Sequence, residues 1–235
     1  MRESKGAAAK AGSAGIAKAA RSARAPRQRL DLEVRREQLL SAAFDLFVHK
    51  TYDEVGIEDV ARAAGASKGL LYHYFPTKKD LYRAAVQRGA DLLLERTFMP
   101  PETPPFERLE RGLAAYFEYV EEHGAAYTAL MGSGVGVDVD VAAIVEATRV
   151  VIAERIFEAL PLSSIDVPVR VAVRGWIGFV EAIALTWLRD RAPSIDVLRD
   201  LATEVLTLAI MKAAGMSREE LPIEALRKGP AKTSR

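Results

Sequence analysis

The chain has 235 residues, of which 49% are hydrophobic, with 33 basic against 32 acidic side chains and no cysteine. That is ample apolar material for a buried core, while the lack of cysteine excludes disulfides, thiolate nucleophiles and thiolate metal sites, in keeping with a reducing interior. The net charge of +1 is uninformative taken whole, but it is unevenly spread.

Residues 1–29 hold Arg2, Lys5, Lys10, Lys18, Arg21, Arg24, Arg27 and Arg29 against the single acid Glu3. They contain no leucine and no aromatic, so they cannot bury enough surface to offset the entropy of ordering, and a mobile basic arm is expected. The arm has no apolar run of the kind a secretory signal needs. A flexible Lys/Arg segment suits phosphate tracking or minor-groove entry, or simply solubilises the chain.

From Leu30 the pattern turns helical. Leu40, Ala43, Phe44 and Phe47 form one apolar stripe opposite charged residues, which predicts a first helix over roughly 33–49. A second apolar segment, Ile57 to Ala64, stops at Gly65, a residue able to adopt the left-handed conformation that ends a helix. Ser67 offers an N-cap for a third helix through about His73, and Thr77 one for a fourth with Leu81, Ala85, Leu92 and Leu93 at apolar positions. The stretch from Pro100 to Pro105 breaks the pattern.

Beyond it, helices are expected at about 106–122, 125–131, 139–160, 168–189 and 194–215. Pro168 suits a first helical turn, and Ser194 is expected to cap the last helix with its hydroxyl. The alternation of Val135, Val137, Val139 and Val141 could mark a strand, but Gly132, Gly134 and Gly136 between them favour a loop entering a helix that starts near Asp138 and Asp140. The most apolar stretch, Val169 to Leu188, contains Arg170, Arg174 and Glu181, which predicts a buried helix rather than a membrane span. The fold class is therefore all-α: a mobile arm at 1–29, a helix-turn-helix domain at 30–80, a helical ligand-binding and dimerisation domain at 81–215, and a tail at 216–235.

Residues 57–76 have the helix-turn-helix pattern. Ala61 is small where two helices cross, Gly65 makes the turn, and Val60, Ala64, Leu71 and Tyr74 occupy packing positions. In this arrangement the helix from Ser67 presents its first residues to base edges in the major groove. The run from Ile57 through Val60-Ala61-Arg62-Ala63-Ala64-Gly65-Ala66-Ser67-Lys68-Gly69-Leu70-Leu71-Tyr72-His73-Tyr74-Phe75-Pro76 to Leu81 resembles the TetR family of bacterial regulators over about fifty residues. The resemblance implies a homodimer that binds operator DNA, usually as a repressor, and that leaves it when a small molecule binds the C-terminal domain; a cytoplasmic location is expected from the lack of a secretory signal or membrane span.

Carried over by position, the resemblance has Lys68, Gly69 and Leu70 facing bases and Tyr72, Tyr74 and Lys78 contacting phosphates, with His73 beside them in the DNA-facing set. A lysine ammonium can donate to guanine, tyrosine hydroxyls can donate to phosphate oxygens, and Lys78 lies in a helix first turn whose amides attract anions. Two positions depart from the family pattern: Thr51 stands where glycine is usual, and Gly56 where a hydroxyl residue commonly caps the second helix. At Gly56 a backbone amide, without a side chain, is expected to serve.

In the helix from Pro168, Gly175, Gly178 and Ala182 form a small-residue face suited to a partner subunit, and Trp176, Val180, Ile183 and Trp187 a bulky one. Ile195, Leu198, Leu201, Val205 and Ala209 of the last helix could complete a four-helix dimer interface. Tyr116, Phe117, Tyr119, Tyr127, Met131, Trp176, Phe179 and Trp187 could line a cavity for an apolar, lipid-like effector or simply fill the core. Glu181 would then orient a polar ligand group or pair with Arg170 or Arg174. No cofactor, metal site or membrane partner is expected. An enzyme is the main alternative, poorly supported by three scattered histidines and no hydrolase or nucleotide motif; a helical protein-binding adaptor is the other.

Overall fold

The computed structural model describes residues 32–132, 138–160, 162 and 164–216. The basic arm, the 133–137 part of the glycine-valine segment and most of the tail lie outside these. Among the described residues the regular structure is helical throughout: α1 (32–49), α2 (Ile57–Ala63), α3 (Lys68–Tyr74), α4 (Lys78–Arg96), α5 (Pro105–Glu122), α6 (Gly124–Gly132), α7 (Val139–Ala159), α8 (Val167–Asp190) and α9 (Ile195–Ala213).

Two hydrophobic cores organise the helices. The smaller gathers Leu39, Ala43 and Phe47 of α1, Val60 and Ala61 of α2, and Leu71 with Phe75 at the end of α3. Leu81 and Ala85 of α4 belong to the same core, whereas Leu93, two turns on, belongs to the larger one formed by α5, α6, α8 and α9. A division at residue 80 therefore cuts through packing, because one continuous helix serves both cores. Complete burial of Leu39, Val60, Leu71 and Leu81 stabilises the head by about 1.5–3 kcal/mol per side chain.

Close approach at Gly89 joins the two parts. The Tyr119 hydroxyl donates to the Gly89 carbonyl at 3.1 Å, and a Cβ at 89 would stand 3.1 Å from that hydroxyl and 3.3 Å from the Phe44 ring. Ion pairs tie the start of α4 to the start of α7: Lys79 with Asp138 at 3.3 Å and Arg83 with Asp140 at 3.0 Å. Asp138 also caps α7, accepting from the Asp140 amide at 3.0 Å, so these acids mark a helix start.

Ser194 does not cap as expected. It holds the extended N-cap backbone, but its hydroxyl makes no capping bond. Nor is α8 a fully buried helix: it is long and apolar, and only 33% of its apolar stretch is buried. Val167 and Val171 are 71% and 66% exposed on its outer face.

Candidate nucleic-acid interface and internal cavity

The turn between α2 and α3 is built by backbone geometry. Gly65 has φ +57°; its amide donates to Arg62 O at 3.1 Å, and the Ala66 amide reaches Ala61 O at 2.8 Å. This is the paired closure of a Schellman motif, which needs a residue free of Cβ strain at its centre. The Ser67 hydroxyl then accepts from the Leu70 amide at 3.2 Å and starts α3. Gly56 begins α2 from extended backbone without any side-chain cap. At the other departure, the Thr51 amide and hydroxyl both donate to the Glu54 carboxylate at 2.8 Å, holding that carboxyl below its usual range.

Leu71 and Phe75 turn inward and are 1% and 3% exposed, which leaves Lys68, Gly69, Tyr72 and His73 facing outward. Leu70 and Tyr74 are half-buried against the small core, and the Tyr74 ring meets His73 edge-on at 5.2 Å. Lys68 is ion-paired with Glu58 of α2. Lys78 places its ammonium 4.4 Å from the centre of the Tyr52 ring. Behind it, Thr77 and Asp80 form a reciprocal capping box that fixes the start of α4. The seven residues of the DNA-facing set thus lie on or beside one short helix, with Tyr74 and Leu70 partly engaged in holding it.

Nothing in the fold demands glycine at 69: a Cβ there would meet only the Ser67 hydroxyl, at 3.9 Å. Glycine lowers helix stability relative to alanine, so glycine at this open position carries a cost that no contact within the fold requires.

A cavity of about 320 Å³ runs between the larger core and the head. Tyr116, Tyr127, Met131 and Trp176 are in its wall. Phe117, Phe179 and Trp187 are not, which corrects the expectation for these three. Phe117 is wholly buried, rotated by about 100° from Tyr116 on α5; Trp187 shares the azimuth of Trp176 but sits about 16 Å farther along α8.

Inside the cavity the polar groups are mostly paired. The Tyr116 and Tyr127 hydroxyls are 2.5 Å apart, and burial pushes both phenols up. Tyr119 is likewise raised by burial, to about 12. Glu181 pairs not with Arg170 or Arg174 but with Arg149 of α7, through two parallel bonds of 2.8 Å. Arg170 bonds to Ile165 O and Arg174 to Glu146. Arg149, Arg155 and His123 escaped the sequence reading because polar residues on α7 and at the end of α5 look like solvated positions until a cavity is seen beside them.

On the far side of α8, a Cβ at Gly175 or Gly178 would meet nothing within 4 Å. The outward row on α9 is Val197, Leu201 and Leu208, at 50%, 42% and 58% exposure. Leu198, expected at an interface, is 5% exposed and turned into its own core, where Ile195 and Val205 also pack.

Residues 39–85 match the model of "bacterial regulatory proteins, tetR family" and residues 105–210 that of the "tetracyclin repressor-like, C-terminal domain". The solved structure of a TetR-family transcriptional regulator from Streptomyces coelicolor is 33% identical, with a TM-score of 0.70 over 83% of this chain and 94% of that one. The transcriptional activator FasR of Mycolicibacterium smegmatis is 31% identical over 58% of this chain and 63% of its own. The repressor KstR of Rhodococcus jostii is 27% identical over 79% and 86%. The chain spans only about half to two thirds of the length of several such relatives.

Proposed function

Because the chain belongs to the TetR family of bacterial regulators, we propose that it is a cytoplasmic, ligand-responsive transcriptional regulator: a homodimer that represses from a palindromic operator and is released when an apolar molecule enters the cavity. The comparisons favour a regulator over a helical enzyme or a protein-binding adaptor. The observation that carries the proposal is α3 itself, which is anchored by Leu71 and Phe75 and turns Lys68, Gly69, Tyr72 and His73 to solvent. Its first turn has the exposure and donors for base edges, and Tyr72, Tyr74 and Lys78 have the chemistry for phosphates.

Dimerisation is supported by the open face of α8 and α9, where Val171, Gly175, Gly178, Leu201 and Leu208 leave an apolar strip uncovered. The effector reading is supported by the cavity wall, which is aromatic and aliphatic with few polar groups. Motion of α7 would reach the head through the Lys79–Asp138 and Arg83–Asp140 pairs.

Footprinting on DNA flanking the gene tests the proposal: two protected half-sites about one helical turn apart are expected, lost in Lys68→Ala with Tyr72→Ala. A folded dimer that protects no such site would refute it. The sign of regulation is read by a reporter fused to the same promoter.

A further inference from the structure

One buried side chain in the cavity wall, among the described residues, has no hydrogen bond at any of its polar atoms. His123 closes α5, its backbone fixed by the Tyr119 carbonyl at 3.0 Å, and its ring is packed edge-on against Tyr119 at 4.5 Å and Phe44 at 5.7 Å. It is 7% exposed, and tyrosine aside it is the one polar or charged residue buried among those described. Neither Nδ1 nor Nε2 makes a hydrogen bond. The nearest carboxylate, Glu122, is 3.9 Å from Nε2 and is itself taken up by Arg96. Buried polar groups are almost always hydrogen-bonded, and leaving one unmade is destabilising, so an imidazole with both nitrogens idle, beside a cavity, is open to a hydrogen-bonding molecule that enters it.

We propose that His123 is the hydrogen-bonding anchor of the effector site, and that the effector is an apolar molecule bearing an uncharged hydroxyl or carbonyl group rather than a carboxylate. This rests on the cavity being an effector site, as proposed above. Burial disfavours the charged ring, and a neutral imidazole has one N–H donor and one acceptor nitrogen, which together match a hydroxyl. The aromatic faces of Phe44 and Tyr119 around it offer a carboxylate no counter-charge. The three guanidiniums in the wall are engaged elsewhere: Arg149 on Glu181, Arg155 on the Leu94 carbonyl at 2.8 Å and the Thr97 hydroxyl at 3.4 Å, and Arg108 on the Pro101 and Thr103 carbonyls at 2.6 and 3.2 Å. The position is also consequential, because Phe44 belongs to α1 and Tyr119 holds Gly89 of α4, so a ligand seated at His123 touches the joint between cavity and head.

The test uses the full chain and three probes of one length: 1-octanol, 1-fluorooctane and octanoate, titrated by quenching of tryptophan, since Trp176 is in the wall. The wild type is expected to bind octanol about tenfold more tightly than fluorooctane, and octanoate more weakly than either, the gap being the value of about one well-placed hydrogen bond. In His123→Leu the alcohol and the fluoride should converge to within about twofold, whereas His123→Gln, with a donor and an acceptor, keeps a preference. Without ligand, His123→Leu should melt a few degrees higher, since an idle polar group leaves the core.

An unchanged alcohol preference in His123→Leu, a tighter fit for octanoate, or a lower melting temperature in the leucine variant would each overturn the anchor while leaving the cavity a sensor. Failure of all three probes to bind the wild type would overturn the sensor reading and the anchor with it.

Discussion

Gly69→Ala separates the needs of the fold from those of DNA binding. Residue 69 lies in the first turn of α3, exposed, with the Ser67 hydroxyl 3.9 Å from where a Cβ would stand and nothing nearer. The added methyl makes an ordinary contact, and the backbone is already helical, so no strain is introduced. Alanine restricts the unfolded chain and favours helix, by 0.5–1 kcal/mol at interior positions and toward the lower end here, about 0.5 kcal/mol. For a chain of this size that raises the melting temperature by about 1–2 °C. If the outward face of α3 lies against base edges, the same methyl occupies space the duplex needs, and operator affinity should fall at least about tenfold. The pair of measurements is a thermal melt followed by circular dichroism and fluorescence anisotropy with the footprinted operator. A more stable protein with weaker binding is expected. Undiminished affinity would remove the reason given for glycine at this position, and a lower melting temperature would show that the fold, not the duplex, requires it.

Glu58→Gln frees Lys68 from its ion pair and removes a negative charge beside the duplex; operator affinity should rise several-fold and the slope of log affinity against log salt steepen by up to about one unit, as anisotropy across a salt series will show. Removing residues 1–29 should act in the opposite sense, lowering affinity at low salt and flattening that slope; an unchanged slope would assign the arm no contact with phosphate. Arg149→Met leaves the Glu181 carboxylate, whose side chain is 17% exposed, without its partner. A loss of about 2–4 kcal/mol in urea unfolding is expected, largely recovered in Arg149→Met with Glu181→Leu. His123 has a pKa held below its ordinary value, chiefly by burial and further by Arg96 and His49, against the opposing pull of Glu122. The unfolded chain therefore binds this proton first: stability is intact above about pH 6.5 and falls as pH drops below it toward the folded value, and His123→Leu should flatten that part of the urea-midpoint profile.

The helices and their order were legible in the chain because they depend on local spacing and end signals. The Gly65 turn, the Ser67 and Thr77 caps and the Pro100–Pro105 break are each decided within four or five residues. Ser194 shows the limit of that logic, since a capping residue type in the right backbone conformation still left its hydroxyl unused. The exposed face of α3 could be read in advance because Leu71 and Phe75 fix the buried face, and the opposite face follows from helical periodicity. Which aromatics line the cavity could not be read so, because Tyr116 and Phe117 are adjacent, both large and both buried, and the direction the packed helix gives each decides which one reaches the cavity. The same holds for the long-range polar groups. Arg149 is 32 residues from Glu181, and His123 becomes an unpartnered group only when α1, α4 and α5 close around it. Local sequence sets where helices start and stop; the tertiary arrangement alone decides which side chains face one another across the space between them.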